Sequence, residues 1–442
     1  MINLRFVGCW LAAMWCAMWP VAGQTQTPDE EQWNAKFQST YVWQKKAPLS
    51  SPYSAQNSLR AVAEKSYSFT ASAAFGVRPW SGGELYFNPE LAQGVPLSGL
   101  TGLGGFSNGE IARTTGPNPS VYRARLFLRQ TWGFGGAKEP VESDANQMAG
   151  SLERRRLVLT LGNLSIMDLF DDNAYSHDPR TQFLNWSLMT HGAYDYAADA
   201  RGYTNGMALE YFHDDWAFRV GRFMQPRLPN QLALNWALGR SYGDQVEIER
   251  AHVIGGQPGK LRVLAYRNVA VMSRFADALD QAAPAGVPPD INLVRGGRQA
   301  RYGIGVNGEQ ALTGEVGAFV RAMWSDGQTE TYAFTEIDTS ASGGVLVKGG
   351  TWGRAQDTIG IAIARNGLST ARRNYLAAGG LGFFIGDGRL NYRAETILEA
   401  FYSVAVAKGT LISVDWQTIR NPAYNADRGP AKVGTIRLHT EF

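Results

Sequence analysis

The chain has almost no cysteine, and its two cysteines stand near its start. Cys9 and Cys16 both lie within residues 1–23, which have the features of an export signal: a short segment with Arg5, an apolar run and a small-residue cleavage site before Gln24. If this signal peptide is removed, the remaining chain contains no cysteine. We therefore expect a protein that folds after export without disulfides, thiol chemistry or a cysteine-ligated metal.

Long apolar runs and an excess of charge of one sign are also missing. After residue 23 no stretch approaches about 18 consecutive apolar residues, so no transmembrane helix is predicted. The 42 basic and 39 acidic side chains give a formal net charge of +3, which offers no case for a nucleic-acid partner. The five histidines show no ligand spacing, so neither a metal nor a cofactor is expected.

Glycine and aromatic residues are abundant, and their pattern indicates strands. The chain has 50 Gly, 13 Trp, 18 Tyr and 20 Phe, which suits an all-β protein with many turns. The clearest strand is 121–130, VYRARLFLRQ, which at period two has an apolar face and a basic face. The apolar face holds Tyr122, Ala124, Leu126 and Leu128, and the basic face holds Arg123, Arg125 and Arg129.

The same alternation recurs along the chain and predicts about 16 strands. It is clear at 66–77 and at 411–417, and shorter strands are expected at 316–324 and 331–339. An even number of strands suits a closed single-chain barrel. The predicted organisation, in order, is a signal peptide at 1–23, a polar N-terminal arm at 24–35 and one barrel domain at 36–442.

Two kinds of fold accommodate such strands. In an exported soluble sandwich the apolar faces meet in a core, whereas in a transmembrane barrel they face lipid and the polar faces line a wet lumen. The signal peptide, the repeated charged faces and the last strand, which ends in Phe442, favour the barrel. We therefore predict an all-β transmembrane antiparallel barrel in the outer membrane. Its partners would be membrane lipid and the barrel-assembly machinery, which would read the last strand, and its wide lumen makes transport the default function.

Two long segments interrupt the strand pattern. Residues 91–119 are rich in Gly, Pro and Ser and lack a period. Residues 165–202, SIMDLFDDNAYSHDPRTQFLNWSLMTHGAYDYAADARG, carry six aspartates among aromatic residues. Irregular segments of this length are uncommon unless they are functional. We expect 165–202 to fold into the lumen opposite the basic face of 121–130 and to form a constriction loop.

Four stretches resemble the carbohydrate-selective porins of the OprB family. They are LGNLSIMDLFDDNAYSHDPRTQFLNWSLM at 161–189, AYDYAADARGYTNG at 193–206, FFIGDGRLNYRAETILEAFYS at 383–403 and DWQTIRNPAYNADRGP at 415–430. The resemblance is weaker over residues 24 to 115. It implies a Gram-negative outer-membrane barrel that passes carbohydrates into the periplasm by facilitated diffusion, without fixing the sugar.

Sugar recognition has a known chemical basis, and it suggests candidate residues. Hydroxyl groups pair with Arg, Asp and Glu, and the apolar faces of sugar rings stack on aromatic side chains. The candidate pore residues are Arg123, Arg125, Arg129, Asp168, Asp171, Asp172, Trp186, Arg393, Glu395 and Glu399. For any single aspartate, a turn, a helix cap or an internal salt bridge is the simpler interpretation.

Other functions remain as alternatives. A general or anion-preferring porin is suggested by the arginines of 121–130. A barrel enzyme would need a Ser–His pair, and Ser176–His177 and Ser187 near His191 lack a recognisable nucleophile context, so no enzyme is predicted. The glycine pattern at 303–308 has no βαβ context for nucleotide binding, and its Asn-Gly pair predicts a hairpin turn. A monomer and a homo-oligomer are both left open.

Overall fold

The computed structural model describes residues 30–111, 116–334 and 336–442. The predicted signal peptide lies outside these ranges. The strands are β1 Trp33–Lys46, β2 Glu64–Trp80, β3 Gly83–Val95, β4 Ser120–Gly133, β5 Lys138–Val141, β6 Gly150–Glu153, β7 Arg155–Leu164, β8 Thr204–His213, β9 Trp216–Met224, β10 Tyr242–Ile254, β11 Gln257–Val271, β12 Arg298–Ala311, β13 Val316–Ser325, β14 Thr339–Gly349, β15 Arg354–Gly367, β16 Glu395–Ala407, β17 Thr410–Arg420 and β18 Ala431–Glu441. The helices are α1 Trp186–Met189, α2 Phe275–Ala282 and α3 Thr370–Ala377.

In the part of the chain that is described, sixteen of these strands form one closed antiparallel barrel. Each strand pairs with its neighbours in the chain, and β1 pairs with β18 to close the ring. Strands β5 and β6 are the exception, because they form a separate hairpin between β4 and β7. The predicted fold class and strand number are therefore confirmed. Every helix of the described chain is too short or too polar to span a membrane.

The two faces of the barrel follow the period-two pattern of the strands. In β17, Val414 and Trp416 are exposed on the outer face, whereas Ser413 and Gln417 are buried on the inner face. Outer residues are mainly aliphatic and aromatic, and inner residues are mainly polar. The inner face is buried because other parts of the chain fold against it, so the core of this protein consists of segments that enter the lumen.

The two ends of the barrel differ in the length of their connections. At one end, which we call the short-turn end, most strands are joined by tight turns such as Gly255-Gly256, and there β1 begins and β18 ends. At the other end, which we call the long-loop end, the described chain has eight longer connections. These are 47–63, 96–119, 165–203, 225–241, 272–297, 326–338, 368–394 and 421–430.

Several local expectations were wrong. Residues 331–334 and 336–338 belong to a loop rather than to the strand expected at 331–339. The irregular segment near residue 91 begins only at Pro96, because β3 continues to Val95. The Asn-Gly pair at 307–308 lies inside β12 rather than in a turn. The first strand starts at Trp33, so the last residues of the expected arm at 24–35 already belong to the sheet.

One glycine is required where β4 meets β7. Gly162 has a φ of +138°, and a Cβ atom on it would lie 2.4 Å from the carbonyl oxygen of Leu126 and 2.8 Å from the Cα of Phe127. L-residues rarely adopt this φ, and the backbone of the paired strand cannot move away without breaking the ladder. The junction of the two strands that flank the β5–β6 hairpin therefore depends on this residue.

We expect Gly162→Ala to destabilise the barrel by about 1–3 kcal/mol, because strain and backbone overlap both oppose the side chain. The measurement is the temperature at which the detergent-solubilised barrel loses its folded mobility on gels. Gly434→Ala in β18 is the matched control, since a Cβ there meets only ring carbons of Trp416 at 3.7 Å. Equal transition temperatures for both variants would contradict this interpretation.

Candidate functional site

The segment 165–203 leaves the wall between β7 and β8 and crosses the lumen to distant strands. Its Asp171 bonds Arg321 of β13 at 3.0 Å, and its Pro179 carbonyl accepts a hydrogen bond of 2.6 Å from Arg437 of β18. We call residues 165–203 the crossing loop. Because these contacts lie on different sides of the ring, the loop divides the lumen, as expected for residues 165–202.

Asp171 is an anchor of the crossing loop. Its buried carboxylate accepts hydrogen bonds from Arg321, from Asn307 at 2.6 Å, and from Thr190 Oγ1 and the His191 amide at 2.8 and 2.7 Å. Burial acts to raise the pKa of Asp171, but Arg321 and these hydrogen bonds outweigh it and hold the pKa below its ordinary value. With so many protein partners, Asp171 matches the simpler interpretation given for single aspartates.

Two glutamates of β16 hold inward-folded backbone. Glu399 accepts hydrogen bonds from the amides of Leu184 and Asn185 in the crossing loop, the second at 2.9 Å. Glu395 accepts from the amides of Gly104 and Gly105 at 2.9 and 2.8 Å. The part of the loop 96–119 around Gly104 and Gly105 therefore also enters the lumen, which the lack of a period in the sequence did not reveal. Both glutamates are fully buried.

Three other candidate residues lie away from one another. Trp186 is buried in α1 and packs on Phe334, with ring centroids 4.9 Å apart, so it belongs to the internal core. Asp172 is half exposed and lies 3.4 Å from Nη2 of Arg262. Arg393 is exposed and precedes β16, which begins at Glu395, so it does not share the inner face of that strand.

A bulge changes the basic face of β4. The register with β3 shifts at Asn88 and Pro89: Arg125 pairs with Asn88, but Arg123 pairs with Pro89. Tyr122 therefore faces inward and donates a hydrogen bond to the buried Glu90, whereas Arg123 is exposed on the other face. The expectation that three arginines share one face was wrong for Arg123, because a bulge inserts one residue and reverses the alternation.

Arg125 and Asp168 form an ion pair where the crossing loop meets the wall. Nε and Nη2 of Arg125 donate to the two carboxylate oxygens of Asp168 at 2.7 and 2.6 Å. Burial acts to raise the pKa of Asp168, but Arg125 and the Ser165 amide hold it below its ordinary value. The pair is partly accessible, with 15% and 28% of the side chains exposed. It is therefore charged and reachable.

On the long-loop side of this pair lies a network of tyrosines around a glutamate. Glu90 accepts hydrogen bonds from the hydroxyls of Tyr122 and Tyr203, the latter at 3.2 Å. Arg180 of the crossing loop lies 3.6 Å from Glu90 and 3.1 Å from Glu110. The sequence reasoning missed Glu90, Tyr122 and Tyr203, because the extent of β3 and the bulge could not be read from either strand alone.

On the short-turn side of the pair lies a cavity of about 590 Å³. The β5–β6 hairpin folds into this mouth, and its Asn146 carbonyl accepts a hydrogen bond of 2.9 Å from Arg129. Arg129 also lies 3.6 Å from Glu84, and Arg156 stacks on the ring of Phe212 at 3.9 Å. Arg125, Arg129 and Arg156 thus follow one wall with aromatic rings beside them. Arg156, the second residue of β7, was not among the candidate residues.

His191 makes the crossing loop sensitive to acid. Burial, together with Arg321, lowers its pKa to about 4, although Asp171, 3.5 Å away, acts to raise it. Between pH 6.5 and 4 the unfolded chain binds a proton here that the folded chain does not. Stability from this site is therefore complete above pH 6.5 and is lost as the pH falls to 4.

We expect the unfolding temperature of His191→Gln to fall less between pH 7 and pH 4 than that of the wild type. The variant lacks the buried imidazole, whose pKa shift makes up to about 3 kcal/mol of the free energy of unfolding depend on pH. The measurement is thermal unfolding of the solubilised protein in a pH series. His213→Gln, which removes a half-exposed imidazole at the end of β8, is the control and should change the profile less than the variant of the buried His191 does. An unaltered profile for the His191 variant would refute this assignment.

A family model described as "Carbohydrate-selective porin, OprB family" matches residues 66–442. Among solved structures, OprB of Pseudomonas putida is 15% identical, covers 93% of this chain and 94% of its own, and has a TM-score of 0.69. The outer-membrane channel DcaP of Acinetobacter baumannii is 9% identical, covers 93% and 97%, and has a TM-score of 0.51. At these identities the structural likeness shows the fold alone. No curated protein matches the chain.

Proposed function

This chain belongs to the carbohydrate-selective porin, OprB family, and from that premise we propose where and how sugars pass through it. Family and fold make it an outer-membrane β-barrel porin for carbohydrates, and they point to a channel rather than an enzyme. We propose that solutes move along the wall formed by β3, β4, β7 and β8, past the constriction between that wall and the crossing loop, and leave through the cavity at the short-turn end.

The partly exposed ion pair between Arg125 and Asp168 carries this proposal. It stands between the tyrosine network around Glu90 and the cavity beside Arg129, so a solute on this wall must pass it. The pair engages Nε and Nη2 of Arg125, and within the described residues Nη1 has no acceptor, so it can donate to a sugar hydroxyl.

A carbohydrate offers hydroxyl groups that donate and accept, together with apolar ring faces. Arg125 and Asp168 supply charged donors and acceptors, which form stronger hydrogen bonds than neutral groups do. The rings of Tyr122 and Tyr203, 6.0 Å apart, supply apolar surface on one side of the pair. Phe127 and Phe212 line the cavity on the other side. This sequence of polar and aromatic groups suits a neutral polyhydroxyl solute.

An anion-preferring pore is the second candidate, and the pairing of the arginines argues against it. Inside the barrel, Arg219 contacts Glu210, Glu247 and Glu249 within 3.2 Å, and Arg262 contacts Glu249 and Glu309 within 3.0 Å. Such pairs cancel the long-range field that would concentrate anions in the lumen. We therefore assign the arginines to solute contact and to loop anchoring.

We also propose that the last strand directs assembly of the barrel in the membrane. β18 pairs with β1, and the ring of Phe442 stacks on Phe37 with centroids 5.8 Å apart. An accessible aromatic end on the strand that closes the ring suits recognition by the assembly machinery before closure.

We expect Arg125→Gln to weaken sugar binding in the pore by about tenfold, because a charged donor is lost and Asp168 is left unpaired. The measurement is the saturable block of single-channel current in planar bilayers with a titrated monosaccharide or disaccharide. Ion selectivity should shift toward cations, since the unpaired carboxylate remains.

Arg123→Gln is the matched control for this experiment, because it removes the same side chain from the same strand but from the exposed face. It should leave sugar block and selectivity unchanged. If both variants behave like the wild type, or if solutes rank by size alone, the proposed path is wrong and a general porin is favoured.

A further inference from the structure

Four cationic side chains lie together on the outer face at the long-loop end. They are Lys65 of β2, Lys45 of β1, Lys432 of β18 and Arg420 of β17, on four adjacent strands. All four are exposed, and the residues beside them in the chain, such as Lys46 and Val433, are buried on the inner face. We call these four residues the outer cation cluster.

In the part of the chain that the structure describes, no carboxylate pairs with the outer cation cluster. Lys45 and Lys65 are directly opposite each other in the ladder, which is unfavourable for like charges. Within the described residues, no carboxylate oxygen lies within 4.0 Å of any of the four. Elsewhere on the outer face the chain does provide a partner, since Arg222 bonds Asp244 at 2.6 Å. The cluster is therefore suited to an anion from outside the protein.

A groove adjoins the cluster. It has a volume of about 410 Å³ and runs between Trp43 and Trp416, with Lys45 and Lys432 among its lining residues. Gly434, opposite both Lys45 and Trp416 in the ladders, leaves the space between the two indole rings open. Asp415 also contributes to the floor, but it faces the lumen and is buried. The groove thus combines apolar sides with two ammonium groups.

We propose that this groove binds one phosphate-bearing lipid of the outer leaflet. The phosphate would lie on the ammonium groups of Lys45 and Lys432, and an acyl chain would lie between Trp43 and Trp416 over Gly434. Longer loops mark the outer side of such barrels, so the cluster stands at head-group level in that leaflet. Cations at this level attract anionic lipid, and indole rings suit the boundary between head groups and acyl chains. The inference rests on the outer-membrane location, not on the sugar path.

The test is a titration of the full-length detergent-solubilised protein with diphosphoryl lipid A, in which native mass spectrometry counts the bound lipid. We expect one retained lipid on the wild type and affinity at least about tenfold weaker for Lys45→Gln/Lys432→Gln. Gly434→Leu keeps all four cations but fills the groove, and it should weaken binding as well. Both sites are exposed or open, so we expect both variants to fold.

Arg222→Gln/Arg267→Gln is the matched control, because it removes two outer-face cations at the same end of the barrel. Equal loss in this control, or full binding by Gly434→Leu, would overturn the proposal. Displacement of the lipid by millimolar inorganic phosphate would overturn the proposal too. So would a wild-type dimer that becomes a monomer in the Lys45→Gln/Lys432→Gln variant, because the surface would then be a contact between two copies of the chain. Sugar block recorded on the same preparations reports on the proposed path separately, so failure of one proposal is distinguishable from failure of the other.

Discussion

Charged side chains on the inner wall hold backbone that has left the sheet, and the rest of the structure depends on this arrangement. A segment that enters the lumen does not form the backbone hydrogen bonds of the sheet, so each of its buried amides needs another acceptor. Glu399 provides it for the crossing loop, and Glu395 provides it for Gly104 and Gly105. An unsatisfied buried amide costs about 1–3 kcal/mol, so the position of both loops is set by where the wall carries carboxylates.

Because most charged side chains inside the barrel bind other protein groups, few of them are available to contact a solute. Breaking a buried pair such as Asp171 with Arg321 leaves one charge without its partner, which is strongly destabilising. The fully buried pairs therefore belong to the architecture and tolerate little change. Arg125 and Asp168 differ because both retain exposed surface while remaining paired. On the proposed path, solute contact and loop position would meet at this pair, so selectivity and the shape of the constriction could not vary independently.

The sheet was predictable from sequence, since period two separates lipid-facing from inward residues in nearly every strand, and the long aspartate-rich segment was correctly expected inside the barrel. The register of β4 was not predictable. Pro89 in β3 interrupts the ladder, and the resulting bulge moves Tyr122 inward and Arg123 outward. That outcome depends on the partner strand β3, and the alternation within 121–130 carries no information about β3. The choice among aspartates was hidden for the same reason: Asp168 and Asp171 are three residues apart, but the first meets β4 and the second meets β13.

The balance of charge inside the barrel also bears on the kind of solute that it suits. Neighbouring opposite charges cancel at a distance but keep their local ability to donate and accept hydrogen bonds. A neutral polyhydroxyl molecule responds only to the nearby hydrogen-bonding groups, whereas an ion responds first to the long-range electrostatic field. Neighbouring opposite charges inside the barrel therefore suit the proposed passage of neutral sugars better than that of ions. The reverse holds on the outer face for Lys45, Lys65, Lys432 and Arg420. These cations have no carboxylate partner among the described residues, and they present a net charge to the membrane. The alternation of the strands thus places the same residue types in two roles, because a side chain that faces the lumen can reach the loops and one that faces outward cannot.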